Sequence, residues 1–379
     1  MARFTAVLFA FVASTNLLLE VMGQARCSTS GLGRGGISGC ECVFLGACDA
    51  HGAQRAGLNI ADHLPSGLKL FGYALRMRGR NLAYLCEGGT VGILCDCNSR
   101  IPLYAATVIY GSQLSGPDPG GRPKISFRLS KRLLKNFQQS NKDYLGASKR
   151  RVCYRKRSRY TREIVDKKWF LAKRLADKKR FSGVCDGSDT FKVAMHRGHL
   201  IASQYGRGDQ SKKRATFVYT NAVPQFGDFN SNSWKDCEIE LVTCGQNYCA
   251  ISGSANVQMF ILVGTIPSTV SCPSETRYFS RNGFSDYQDT VYRVNVPTEM
   301  WTAACCTFEY ADRRGTTRTV TKSTAFWREN VPDQITPCHE LDVNSLVRRL
   351  KQKIRKSNIN LFPYSSECNK LINFIKLPG

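Results

Sequence analysis

The chain predicts an α+β fold, a largely antiparallel sheet flanked by helices, with a disulfide-rich extension at its N-terminus. Three observations carry this prediction. Strand-like and helix-like segments mix through residues 100–356 without the regular rhythm of a parallel βαβ sheet. Apolar residues make up 42% of 379, enough to bury a core and to exclude a disordered chain. Seven of the 17 cysteines crowd into residues 24–98, the density of a small lobe stapled by disulfides.

The first element reads as a targeting segment. Arg3 precedes the apolar stretch Phe4 to Leu19, which Ser14, Thr15 and Asn16 interrupt. Val21 and Gly23 stand at the −3 and −1 positions of a cleavage site before Gln24. Residues 1–23 thus read as a secretory signal peptide rather than a buried N-terminal helix. That implies a secreted, extracellular protein whose cysteines mostly pair, with an odd count leaving at least one thiol free or intermolecular. No later run reaches the roughly 18 to 20 apolar residues of a membrane span, so no stable membrane insertion is expected. Residues 24–98 form the expected Cys-rich lobe and residues 99–379 the main domain. Within the lobe, Cys40-Glu41-Cys42 and Cys95-Asp96-Cys97 have a spacing poor for structural zinc, so disulfides are the favoured reading.

Ile101 to Tyr110 reads as a strand with proline near its start, where a missing N–H is tolerated. Residues 111–124 hold three prolines and four glycines and read as loop. Residues 131–180 then carry 19 Lys+Arg against four acids, a large part of the whole chain's +25. Val165, Trp169, Ala172 and Leu175 recur there at near-helical spacing, which predicts an amphipathic helix with a basic face. So lopsided a charge calls for a polyanionic partner: nucleic acid, heparin-like glycan or an anionic membrane surface. The segment is read as a phosphate-tracking surface, with Arg155, Lys156, Arg157, Arg159, Lys173 and Arg174 as candidate nucleic-acid contacts. Further on, 217–221 reads as a strand, 228–242 as a helix, and 259–264, 290–296, 304–310 and 319–327 as strands. A final helix, 343–356, holds six basic residues and is read as a second tracking surface.

Candidate chemistry gathers around two of the five histidines, in His196-Arg197-Gly198-His199. Alone the tetrapeptide is weak: a zinc pair or two surface residues would look the same. Twenty-two residues after His199 comes Asn221, opening Asn221-Ala222-Val223-Pro224-Gln225, followed by Asn230, Trp234 and Glu238. On a helix the last three fall on one side, successive members about 40° apart. An amide, an aromatic wedge and a carboxylate then share a face. A core stripe with polar ends is the alternative, though unpaired Asn and Glu make poor core residues.

With this series the sequence resembles the DNA/RNA non-specific endonuclease family, the ββα-metal nucleases of Serratia nuclease and endonuclease G type. In character it is similar to secreted animal members, including crustacean digestive nucleases. The family pattern is Asp-Arg-Gly-His, then Asn-x-x-Pro-Gln, then Asn with Trp four and Glu eight residues on. Arg197, Gly198 and His199 match it, as do Asn221, Pro224 and Gln225, then Asn230, Trp234 and Glu238. Weaker echoes lie at Arg100 to Ala105, at Gly264, at Val296-Pro297 with Trp301, and at Phe326 with Asn330-Val331-Pro332. Together they span roughly residues 99–370.

The resemblance implies a ββα-metal core and a hydrolase that cuts DNA, and RNA as a further substrate, with little sequence selectivity. It implies Mg²⁺ as cofactor, with Mn²⁺ or another divalent cation as substitute, and 5′-phosphate and 3′-hydroxyl ends. His199 would be the general base, Asn230 the direct metal ligand, Glu238 the holder of metal-bound water and Arg197 a phosphate contact. Asn221 would support the site. Physical chemistry agrees: an imidazole near neutrality suits base catalysis, and Mg²⁺ favours a few oxygen ligands with retained waters. Position 196 departs from the pattern, His standing where the family has Asp; a protonated ring there would repel the metal and shift activity to higher pH. The alternative function is a catalytically weakened cationic protein that binds extracellular nucleic acid or other polyanions. A zinc phosphoesterase built on His196 and His199 finds no further ligand cluster in His51, His63 or His339.

Overall fold

The computed structural model describes residues 27, 34–68, 82–97, 99–139, 152–156, 162–166, 195–227, 229–267, 278–279, 294–312, 314–330, 338 and 340–369. Its centre is a seven-stranded sheet in the order β1-β2-β3-β8-β11-β12-β13, antiparallel at every pairing. The strands are β1 (Leu82–Glu87), β2 (Val91–Asp96), β3 (Ile101–Tyr110), β8 (Ser254–Ile266), β11 (Glu299–Ala311), β12 (Thr317–Glu329) and β13 (Glu340–Leu341). Three two-stranded pairs lie outside it: β4 (Val152–Lys156) with β5 (Arg162–Asp166), β6 (Met195–His199) with β7 (Ala222–Phe226), and β9 (Tyr278–Phe279) with β10 (Val294–Asn295). The helices are α1 (Gly111–Ser115), α2 (Gln210–Ala215), α3 (Trp234–Tyr248) and α4 (Val343–Ile354). The predicted α+β class with a largely antiparallel sheet is thus the class observed.

Both faces of the sheet are buried, because its central strands are apolar at odd and even positions alike. Ile109, Ile261, Ala304 and Phe326 face one core together with Val223 and Phe226 of β7 and Trp234 and Leu241 of α3. Tyr104, Phe260, Trp301 and Trp327 face a second core. There they meet Leu346 and Leu350 of α4 and, from the N-terminal extension, Ile37, Phe44 and Leu64. The extension has little regular structure beyond short 3₁₀ turns, and Cys27–Cys97, Cys40–Cys86 and Cys42–Cys48 staple it. Three further disulfides, Cys237–Cys338, Cys249–Cys306 and Cys305–Cys368, tie the remaining layers. Among the described residues Cys95 and Cys244 are free and buried.

Several boundaries differ from the sequence reading for identifiable reasons. Strands β1 and β2 lie within the expected 24–98 lobe, yet β1 pairs with β2 and β2 with β3, so both belong to the main sheet. Residues 217–221 have strand-forming side chains, but a 3₁₀ turn closes over Tyr219–Asn221 and the strand starts at Ala222. The turn wins because Asn221 donates its side-chain N–H back to the Thr216 carbonyl at 2.9 Å. The helix expected over 228–242 begins as a π-turn, Phe229–Ser233, and continues as α3 to Tyr248. Of the predicted strand 290–296, Val294–Asn295 is observed. Val165 lies in β5, not in a helix; Trp169, Ala172 and Leu175 fall outside the described residues, as do residues 1–23.

One cross-strand pair shows how tightly the second core is fitted. Gly264 stands directly opposite Trp301 in the β8–β11 register, and a Cβ at 264 would lie 2.1 Å from the indole. Trp301 fills that space and is 1% exposed. Gly264→Ala is expected to destabilise the fold by about 1–3 kcal/mol through overpacking. Urea unfolding at equilibrium measures it; an unchanged midpoint would show that the indole moves aside at no cost.

Candidate active site

The site is built on the β6–β7 ribbon, laid across the first face of the sheet. In its register His196 pairs with Gln225, Gly198 with Val223 and His199 with Ala222. Asn330, fully buried, fastens β7 to the sheet. Its oxygen accepts from the Phe226 N–H at 3.1 Å, and its amide donates to the carbonyls of Pro224 (3.0 Å) and Pro297 (2.9 Å). Pro224 is tolerated because β7 is an edge strand of a two-stranded pair. Gly198 is required by packing: a Cβ there would sit 2.0 Å from Cδ of buried Gln225. Gln225 in turn donates to the His199 carbonyl at 3.3 Å.

Alternation along β6 sends neighbouring side chains to opposite sides. His196 reaches Asn230, with Nδ1 and the amide Nδ2 at 3.2 Å. In the tautomer carrying its proton on Nε2, His196 accepts here, the role an aspartate would fill. Arg197 and His199 point the other way, toward Phe127. The Arg197 guanidinium lies over the Phe127 ring at 5.7 Å and donates to the Tyr219 hydroxyl at 3.3 Å. His199 is wedged between Phe127 (centroids 4.7 Å apart) and the edge of Phe217 (4.6 Å). It is 7% exposed, and its Nε2 has no hydrogen-bond partner. Just past it the chain is locked by Asn221, which accepts from the Ile201 N–H and donates to the Ile201 carbonyl, both at 2.9 Å.

Asn230 sits in the π-turn that leads into α3, a wider turn than the regular helix assumed in the sequence reading and one frequent at functional sites. Trp234, the wedge, is 1% exposed and stacks on Phe229 at 5.6 Å. Half-buried Glu238 follows one turn on. Its carboxyl is pushed up to about 8 by burial, against the opposing pull of Arg122, the Trp234 indole and Lys235. Burial and the like charge of Arg122 push the His199 imidazole down to about 3, so it is neutral at neutral pH.

Arg122 was missed in the sequence, where it lay within the stretch 111–124 read only as loop. Its guanidinium lies 5.4 Å over the Phe217 ring, and its charge acts on both His199 and Glu238. Phe127 was missed as well. An isolated Arg or Phe beyond a Pro/Gly-rich stretch carries no spacing signal; only the path of the chain brings them here.

The site suits a hard cation held by few protein atoms. Asn230 turns its amide nitrogen to His196, which leaves the carbonyl oxygen as the ligand atom. Among the described residues no cluster of three or more His, Cys, Asp or Glu exists, so His196 and His199 have no zinc-type ligand set. A single amide oxygen suits a hard divalent cation that keeps most of its water.

Arg155 and Lys156 lie in β4, while Arg157, Arg159, Lys173 and Arg174 fall outside the described residues. The basic cluster Arg348–Lys356 belongs to α4 and the residues after it, and α4 packs on the second core whereas β7 and α3 pack on the first. It thus rides on the other face of the sheet from the β6–β7 ribbon, because its apolar stripe, Leu346, Val347 and Leu350, packs there.

The depressed imidazole predicts a pH effect on stability. Below about 6.5 the unfolded chain protonates His199 while the fold, with its lower value, does not. Relative to His199→Gln, metal-free wild type should lose stability as pH falls from 6.5 toward 4. Glu238 works in the opposite direction, its raised value favouring the fold at low pH, so the comparison must be between these two proteins. Urea titrations at both pH values with equal differences would contradict the burial of a neutral imidazole.

No helix among the described residues is long and apolar enough to cross a membrane. Among curated proteins none matches the chain. The crystal structure of EndoG in complex with EndoGI, which addresses EndoG inhibition, is similar at a TM-score of 0.44 and 14% identity, over 76% of this chain and 89% of that one. The DNA/RNA non-specific endonuclease family matches residues 89–365, a stretch that holds β3, both histidines of β6, Asn221, Asn230 and Glu238. With well over half of its length matched, the chain belongs to the DNA/RNA non-specific endonuclease family.

Proposed function

We propose that this protein is a secreted, divalent-cation-dependent endonuclease that cuts DNA, and RNA as a further substrate, with little sequence selectivity. The observation that carries the reading is a neutral, buried imidazole with an orphan Nε2 on the ribbon that also holds Asn230. A buried ring nitrogen without a partner is costly unless something uses it. An attacking water meets that need.

His199 then acts as general base: its Nε2 takes a proton as the water oxygen attacks phosphorus. Burial between Phe127 and Phe217 keeps it unprotonated and excludes bulk solvent. Arg197, steadied by Tyr219 and Phe127, contacts the phosphate, and Arg122 adds positive charge between base and carboxylate. Asn221 supports the base by locking the backbone beyond it. Asn230 would hold Mg²⁺ through its carbonyl oxygen with Glu238 orienting water around it; such an ion supplies charge to the phosphate oxygens and to the departing 3′-oxygen. Departure of the 3′-oxygen leaves 5′-phosphate and 3′-hydroxyl ends.

The charge supports the substrate class. An excess of +25 favours a polyphosphate, and contacts to the backbone carry no base information. Export is supported by the N-terminal signal pattern and by six disulfides among the described residues.

Digestion of plasmid and of RNA with Mg²⁺ or EDTA, using wild type beside His199→Ala, tests the proposal. Wild type should cut in Mg²⁺ and not in EDTA, and His199→Ala should be slower by about 10²- to 10⁴-fold with binding retained. Equal rates for the two proteins would remove the base. A wild type that binds but never cuts would leave only a polyanion-binding protein.

A further inference from the structure

The wall that closes over His199 comes from an arm, residues 120–139, that runs from the site to the N-terminal extension. At the site it carries Arg122 and Phe127. Arg128 donates its N–H to the Phe217 carbonyl at 3.0 Å and accepts from the Tyr219 N–H at 2.9 Å, which seats Phe127 against the imidazole. The arm closes on itself through Gln138, which exchanges bonds with the Ser130 backbone at 2.7 and 2.8 Å. Gln139 donates to the carbonyl of Ala222, the register partner of His199, at 2.6 Å. Both ends of the arm thus touch the ribbon that bears the base.

Its outer side is gripped by the extension. Arg132 reaches the carbonyls of Gly36 (3.2 Å) and Ser38 (3.5 Å), and the Leu134 N–H donates to the Cys27 carbonyl at 2.8 Å. Cys27 is itself tied by its disulfide to Cys97, just past β2. Beneath the arm, buried Glu87 at the end of β1 accepts from Thr220 at 3.1 Å and faces Ser130, Arg128 and Arg132. Residues 27 and 34–38 precede the family match at 89–365, so this grip is an addition to the shared domain.

We infer that the N-terminal extension is a positioning element for the nuclease site. Through Arg132 and Cys27 it fixes the arm whose Phe127 closes the His199 pocket, and so sets how much solvent the imidazole sees. Arg132 and Leu134 are positioning residues, and each acts through Phe127. The inference rests on His199 being the base, but the state of the pocket is readable without substrate.

Diethylpyrocarbonate carbethoxylates accessible neutral imidazoles, and peptide mass mapping reports each histidine separately, with exposed His51 as the reference. Phe127→Ala opens the pocket directly. Arg132→Gln removes the bonds to Gly36 and Ser38. Leu134→Pro deletes one N–H at a backbone φ of −62° that proline adopts without strain. All three should label His199 about tenfold faster than wild type, the factor expected when hydrogen bonds holding a local cover are lost. Their kcat on plasmid should fall together while His51 labelling stays constant. If Phe127→Ala speeds labelling while folded Arg132→Gln and Leu134→Pro label as wild type does, the arm holds without the extension and the inference fails. Should one of that pair not fold, the other decides. Wild type labelled slowly but unable to cut plasmid in Mg²⁺ would reject the nuclease reading and leave the grip standing.

Discussion

Burying an imidazole between two aromatic rings denies its charged form hydration, and much of the site follows from that one cost. His199 can sit between Phe127 and Phe217 only as the neutral ring. Arg122 reinforces this by placing like charge nearby, and the same guanidinium draws the Glu238 carboxyl toward ionisation against its own burial. Burial thus pushes the His199 imidazole down and the Glu238 carboxyl up.

Keeping the ring in place requires rigid backbone on every side. Asn221 and Asn330 do this with fully buried carboxamides, each satisfied by main-chain groups from separate segments. Gly198 does it by absence, since the space of its side chain belongs to Gln225. None of the three needs to meet substrate to matter. Their loss would leave buried polar groups unpaired or overpack the ribbon.

The two-faced sheet explains the rest of the architecture. Because β3, β8 and β11 are apolar on both sides, the domain needs a cover on each. One cover is α3 with the β6–β7 ribbon, which carries the candidate site. The other is α4 with the N-terminal extension, whose many glycines and short turns give it little structure of its own to rely on. Disulfides compensate for that poverty of regular structure. The division also separates charge: the basic face of α4 rides on the second cover, across the sheet from the β6–β7 ribbon.

Short-range pattern was enough for the class, the strand 101–110 and the terminal helix, because alternation and helical spacing are local in sequence; motif spacing singled out His196, Arg197, His199, Asn221, Asn230 and Glu238 as candidates. The contact of His196 with Asn230, 34 residues apart, was not foreseen. Other features had no local signal. That Asn221 closes a turn, that Asn230 lies in a π-turn, that β1 and β2 join the main sheet, and that Arg122 and Phe127 stand over the base are products of packing between distant segments. Which face α4 would cover was equally hidden, since an apolar stripe says that a helix docks but not where. Sequence alone determined which groups have the right chemistry; the tertiary structure decided which of them meet, because burial and proximity are properties of the folded surface and not of any window along the chain.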